Sequence, residues 1–138
     1  MPMDRLVSLL RSGTVNGVGI GSDEAEVRGL LGDPDDVSRT RPLVWKYGPL
    51  ELAFESSRVV MVLLTAEGDV DPAWDRDTDR ERVEWVLTAM RVDFEPEPEL
   101  TSGTQTALRA GLSGAVLIFD ADRGDRLVKA VVTTSGGT

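Results

Sequence analysis

The stretch covering residues 42–65 constrains the fold more than any other part of the sequence. Along residues 50–55 the large apolar side chains alternate with smaller or acidic ones, and this period of two is typical of a strand with one buried face. A segment containing Trp45 and Tyr47 comes before it, and an almost unbroken apolar run at 59–64 follows it. Short polar breaks separate the three segments, so we predict a β-meander whose last strand is central in a sheet and covered on both faces.

Three amphipathic segments predict helices, because their apolar residues recur at helical spacing. The first covers residues 3–12, the second starts after Ser22 and stops at Gly32, and the third covers 79–90. We expect Ser22 to cap the second helix, since a serine hydroxyl can accept from the free N–H groups of a first turn.

A second set of three strands is predicted at 104–110, 114–120 and 127–134. In both sets an apolar strand ends in Phe followed by an acid, at Phe54 and Phe119. The match lies in pattern and not in identity, and two unrelated meanders would also produce it.

We therefore predict a single α+β domain, 1–138, made of a first helix-meander half at 1–66 and a second half at 67–138 with an acidic connector at 67–78. Its antiparallel sheet would have about six strands built from two αβββ-like repeats, with the helices packed on one face.

The complete lack of His and Cys removes several chemistries. A Ser-His-Asp triad, a cysteine nucleophile and a zinc site held by thiolate or imidazole are all excluded. Two aspartate clusters, at 75–79 and 120–125, lack the glycine and the twelfth-position glutamate of a helical calcium loop. The glycines at 17, 19 and 21 lack the lysine of a phosphate-binding loop. We predict no catalytic residue, no cofactor and no metal.

The net charge of −9 is concentrated in one segment. Residues 67–99 hold twelve acids and four bases, which leaves −8 there. Such a field repels nucleic acid and favours a basic partner, although an acidic surface also serves solubility alone. No apolar run approaches the roughly 20 residues needed to span a bilayer, so we predict neither a nucleic-acid nor a membrane partner.

Aromatic and acidic residues give the candidate partner-binding set. Trp45 and Tyr47 share one strand face, which is either core or an open binding surface. Trp74 stands alone in a polar segment, where it either caps the core or is exposed for binding. The full set is Trp45, Tyr47, Glu51, Glu55, Trp74, Asp75, Asp77 and Asp79.

The first half resembles a known unit. Residues 19–22, the segment Leu30-Leu31-Gly32 with Pro34, and the aromatic pair at 45 and 47 are similar to the helix-and-meander unit of small outer-membrane assembly lipoproteins. The same unit is duplicated in the secreted β-lactamase inhibitor proteins. The resemblance covers about residues 15–65 and implies a non-catalytic protein-binding module, with an exposed sheet face that grips the partner.

We therefore expect a non-enzymatic protein-binding module, of the immunity or inhibitor type, whose partner is a basic, toxin-like protein. The alternative is a small-ligand-binding or accessory domain. The lack of an export signal and of any cysteine predicts a cytoplasmic protein, and thirteen arginines against two lysines indicate a bacterial source. The oligomeric state stays open.

Overall fold

The computed structural model describes residues 3–38, 43–66 and 73–134. Residues 67–72 of the predicted connector, the predicted first residue of the meander, Pro42, and the predicted tail at 135–138 lie outside the described residues. The helices are α1 (Asp4–Ser12), α2 (Glu24–Leu31) and α3 (Arg80–Ala89). The strands are β1 (Asp36–Val37), β2 (Leu43–Tyr47), β3 (Leu50–Glu55), β4 (Arg58–Thr65), β5 (Phe94–Pro96), β6 (Gln105–Ala110), β7 (Val116–Asp120) and β8 (Arg126–Thr133).

The strands form one antiparallel sheet in the order β1-β2-β3-β4-β8-β7-β6-β5. The predicted number of about six strands is therefore wrong, because eight are present in the described residues. The two additional strands are β1 and β5, at the edges. A strand of two residues is too short to show alternation, so β1 was not predicted. For β5 the sequence allowed a short strand over 91–95 and an extended loop or edge over 95–99, because Pro96 lacks the N–H that an interior ladder needs.

One face of the sheet carries the main hydrophobic core. A row of buried side chains crosses four strands, since Trp45, Leu52, Val62 and Val132 are successive cross-strand partners. Buried residues from all three helices belong to the same cluster: Leu6, Leu9 and Leu10 from α1, Val27 from α2, and Val83 and Leu87 from α3. The helices thus lie on this face, which we call the covered face, and each fully buried Leu or Val there stabilises the fold by roughly 1.5–3 kcal/mol.

Aspartates begin the second and third helices. The Asp23 carboxylate accepts from the backbone N–H of Glu26 at 2.8 Å, and the Asp79 carboxylate accepts from that of Arg82 at 2.9 Å. The predicted cap at Ser22 is wrong by one residue, because the Ser22 hydroxyl instead accepts from the Gly19 N–H at 3.2 Å and closes the preceding turn.

Each capped helix is tied to the sheet at the same place. Asp23 forms an isolated antiparallel bridge with Arg58, the first residue of β4. Asp79 forms one with Arg126, the first residue of β8. The helix starts are therefore fixed to the starts of the two central strands.

The hairpins that end in these strands share a second feature. The register of β3 on β4 shifts between Ala53 and Phe54, and that of β7 on β8 shifts between Ile118 and Phe119. A shift of this kind bends the strand and increases its twist. The residues left out of the pairing are Val60 on β4 and Val128 on β8, so in each hairpin the irregularity lies opposite the phenylalanine that precedes the terminal acid.

We expect the two aspartate caps to contribute equally. Asp23→Ala and Asp79→Ala should each lower the free energy of unfolding by about 1 kcal/mol, because each leaves a helix N–H without its acceptor. Urea denaturation followed by circular dichroism measures the loss. Asp77→Ala, at an exposed position two residues before the second cap, is the control and should change little. Unchanged stability in either cap variant would contradict this assignment.

Candidate functional site

The sheet face opposite the helices, which we call the open face, is crossed by one continuous row of paired residues. Register places them side by side from edge to edge. In strand order this central row is Asp36, Lys46, Glu51, Leu63, Val131, Val116, Arg109 and Glu95.

Two shorter rows flank the central one. The first runs Val44, Ala53, Met61, Thr133, and the second runs Thr65, Lys129, Ile118, Ala107. Because side chains alternate along a strand, all of these residues point away from the helix layer.

The middle of the open face is apolar. Ala107, Val116 and Ile118 form a second, smaller core cluster with Val131 packed against it, and among the described residues no buried helix residue belongs to that cluster. Leu63 lies beside Val131 and is only partly buried. Ala107, Val116 and Ile118 are themselves only 1%, 7% and 8% exposed, so the accessible apolar area of this middle comes mainly from the partly buried Leu63 and Val131, with Met61 in the flanking row. Accessible apolar area of this kind on a sheet face is typical of an interaction site.

Charged side chains surround this apolar middle. The central row carries Asp36, Glu51 and Glu95 against Lys46 and Arg109, and Lys129 in the flanking row brings the formal charge of the three rows to zero. Glu97 adds a further carboxylate, but it is 9% exposed and accepts from Arg109 Nε at 2.7 Å. The open face is thus close to neutral in a chain whose net charge is −9.

Trp45 and Tyr47, predicted as either core residues or partner anchors, lie on the covered face. Trp45 is 2% exposed, with the Arg28 guanidinium 4.7 Å from its ring centroid. The Tyr47 hydroxyl donates to the Gly32 carbonyl at 2.9 Å. The place of Trp45 beneath the helix layer makes it a core residue and corrects its inclusion among the partner-contacting candidates, whereas Tyr47 is only partly buried and packs at the border of the core.

Trp74 is also a core residue and not a surface anchor. It is 0% exposed, and its indole N–H donates to the Leu127 carbonyl at 3.1 Å. The bond fastens the described part of the predicted connector to β8. The sequence left open whether Trp74 caps the core or is exposed for binding. A buried indole N–H needs a hydrogen-bond partner, and the Leu127 carbonyl provides it.

The predicted acids separate into two places. Glu51 lies in the central row of the open face, and Glu55 is exposed at the end of β3, opposite Arg58. Asp75 and Asp77 are exposed before α3, whereas Asp79 serves as its cap. The structure therefore brings only Glu51, of the predicted residues, into the open face itself.

Leu63, Val131, Val116 and Ile118 are the residues that the sequence did not single out. The run at 59–64 was predicted to be covered on both faces, and this is corrected, because Met61 and Leu63 on the open side are only partly buried. The available signal was that Val116 and Ile118 alternate with the core residues Leu117 and Phe119. In an all-apolar strand, however, alternation does not show which face is covered.

A shallow depression of about 380 Å³ lies at the start of β8, lined by Ala66, Arg76, Asp120, Arg123, Arg126, Leu127 and Val128. Its neighbour, of about 510 Å³, is lined by Asp77, Asp79, Asp122, Arg123, Gly124 and Arg126. Because arginines and aspartates alternate in the lining of both depressions, neither depression suits a bare anion or a bare cation. Within the described ranges, no three acidic side chains are placed to hold a metal ion.

The sequence matches no protein-family model and no curated protein. The fold is similar to that of an extracellular protein containing an SCP domain from Bacillus anthracis str. Ames, with 13% identity and a TM-score of 0.47 over 84% of this chain. This chain spans 44% of that protein's length. Similarity at this level does not extend to function. The resemblance to β-lactamase inhibitor proteins and assembly lipoproteins stays a prediction.

None of the helices within residues 3–38, 43–66 and 73–134 has the length and apolar character needed to cross a bilayer.

Tyr47, the chain's only tyrosine, provides a test of this geometry at high pH. Burial raises the pKa of Tyr47 above 10.0; Arg28 opposes this, and Asp33 and Asp35 add to it. The folded state therefore holds the phenolic proton more tightly than the unfolded chain does. The stability linked to this group is fully present below about pH 10 and is lost as pH rises through the folded-state pKa.

We expect Tyr47→Phe to unfold more easily than wild type at neutral pH by about 1 kcal/mol, because the bond to Gly32 is lost. The difference should shrink above pH 10. Denaturant titrations at both pH values measure it, and the tyrosinate absorbance band gives the pKa directly. An apparent pKa below 10.0 in the folded protein would contradict the account.

Proposed function

We propose that this protein is a non-catalytic protein-binding module whose open face contacts a partner protein. The observation that carries the proposal is the continuous central row, with an apolar middle and charged ends, on a face that none of the helices among the described residues covers. An apolar core with a polar rim is the usual anatomy of protein–protein interfaces.

The shape of the surface favours a macromolecule over a small ligand. Eight strands spaced about 4.8 Å apart make a face roughly 34 Å wide. Small-molecule sites are concave and bury most of the ligand, whereas this face is an extended sheet surface. The small-ligand alternative would have to use the depressions beside β8, whose mixed charges favour no one ligand class.

The exposed acids before α3 support a basic partner. Asp75 and Asp77 lie outside the rows of the open face, so their contribution would be to the rate of encounter and not to the buried contact. A small acidic module that meets a basic protein fits the immunity or inhibitor class, with a toxin-like partner.

The two halves support a tandem origin for this surface. Lys46 in the first half and Arg109 in the second hold the same position, since each pairs with an acid on the edge strand, Asp36 and Glu95 respectively. Together with the matched register shifts and helix caps, this correspondence leads us to propose that both halves are copies of one helix-meander unit. In that arrangement Leu63 and Val131 are equivalent residues that face each other at the centre.

We expect Leu63→Arg to abolish partner binding, because a charge at the centre of the apolar middle would be desolvated on contact. Bait protein immobilised through its N-terminus is exposed to lysate of the native host, and proteins retained by wild type but lost with Leu63→Arg are identified. The purified partner is then titrated against both baits, with an expected loss in affinity of a hundredfold or more for the variant, about 3 kcal/mol.

Leu30→Arg is the matched control. Leu30 is 55% exposed on α2, in the helix layer, so the same change is made on the opposite side of the molecule. Thermal melts confirm that both variants fold. If the partner binds Leu63→Arg as tightly as wild type, or if Leu30→Arg alone abolishes binding, the open face is not the contact surface.

A further inference from the structure

The charges of the central row follow an order with a symmetry of its own. From β2 to β5 the row reads Lys46 and Glu51, then the three apolar residues Leu63, Val131 and Val116, then Arg109 and Glu95. Read as charges, this is plus, minus, three neutral positions, plus, minus. If this order is reversed about Val131, each positive residue takes the place of a negative one, and each negative residue takes the place of a positive one.

A strip of this kind is complementary to its own reversed copy. When two such faces are laid together with a twofold axis along β8, Lys46 of one copy meets Glu95 of the other, and Glu51 meets Arg109. At the centre, Leu63 meets Val116, and Val131 meets its own copy. Because a twofold interface repeats each contact, four charge pairs of opposite sign surround an apolar middle.

The dimensions allow these contacts. Lys46 and Glu95 lie on β2 and β5, each three strands from β8. At about 4.8 Å per strand, both are roughly 14 Å from the axis, on opposite sides. Sheets that pack face to face lie about 10 Å apart with their strands aligned within about 30°, a gap that a lysine and a glutamate can span together.

The area fits a reversible dimer. A face roughly 34 Å wide and five residues deep has a footprint on the order of 600 Å² per copy, compared with about 800 Å² per partner in a standard interface. Ala107, Val116 and Ile118 within it are already 1%, 7% and 8% exposed, so the area still free to be buried is smaller than the footprint, as in a weak dimer. The three rows have a formal charge of zero, so stacking two such faces brings no net charge together. Two strongly acidic surfaces, in contrast, would repel each other.

We infer that, when no other partner is bound, the open face is occupied by a second copy of this chain, as a twofold dimer centred on Val131. The inference rests on the proposed function, since it takes the same face as the contact surface, and it names the occupant. Three positions oppose it. Asp36, at the β1 end of the central row, has no counterpart across the axis, and Arg109 is already paired with Glu97 at 2.7 Å. Lys129 lies on β8 beside the axis and is placed near its own copy. Lys129→Met removes this positive charge and introduces methionine, the residue found at position 61. We therefore expect this substitution to tighten the dimer.

Complementation between two charge reversals tests the pairing. Sedimentation equilibrium of the wild-type chain should show a monomer–dimer equilibrium in the micromolar range. Lys46→Glu and Glu95→Lys each create like-charge pairs on both sides of the axis, so each alone should weaken the dimer by about tenfold or more. In an equimolar mixture the two variants meet in opposite-charge pairs at both places, and the mixture should dimerise as tightly as wild type.

Glu81→Lys is the control, because Glu81 is exposed on α3 in the helix layer and its reversal should leave the equilibrium unchanged. A wild-type chain that stays monomeric, a mixture no tighter than either variant alone, or a dimer weakened by Lys129→Met would overturn the inference. If the chain is monomeric while Leu63→Arg still abolishes partner binding, the second copy is excluded and the proposed function stands. If the dimer obeys the charge test but Leu63→Arg leaves partner binding unchanged, the second copy on the open face is supported and the proposed partner contact on that face is excluded.

Discussion

The pairing of β4 with β8 is the interaction on which the rest of the structure depends. Each half by itself would be a four-stranded sheet that ends in an eight-residue apolar strand, and long apolar edges of this kind invite uncontrolled pairing with other chains. Joining the two long strands removes both edges at once. What remains at the borders is β1, with two residues, and β5, which contains a proline.

That pairing also places the helices. Because Asp23 and Asp79 are bridged to the first residues of β4 and β8, the starts of α2 and α3 follow from where the central strands begin. The two strands run in opposite directions, so the bridges lie towards opposite ends of the sheet while the helices share one face. With α1 added, the buried helix residues of the described chain all belong to the core of the covered face and none to the cluster on the opposite face.

The sequence predicted well what alternation and capping residues determine locally, namely the three helices and the six longer strands, with boundaries off by a few residues. It did not predict β1 or the exact cap, because a two-residue strand has no period and Ser22 and Asp23 are both good capping residues. The open face was harder to find. Whether Trp45 is core or anchor, and whether Leu63 is covered, depends on which side receives the helices, and that is decided by tertiary packing and not by any pattern within a strand. The acids Asp75 and Asp77 stood out by composition alone, yet register brings only Glu51 among the predicted residues into the central row.

The distribution of charge connects solubility with association. Most of the excess negative charge lies at residues 67–99. The described acids there include Asp75, Asp77 and Glu81 away from the paired rows, but also Glu95 in the central row and Glu97 beside Arg109. The excess negative charge repels other copies of the chain over a screening distance of about 8–10 Å at physiological salt. The three rows of the open face sum to zero, so burying that face desolvates little net charge, and in the proposed dimer Lys129 is the position placed near a like charge. A chain that carried its whole negative charge on the sheet would stay dispersed but could not bury this surface, and one without the acidic segment would expose its apolar middle without long-range repulsion.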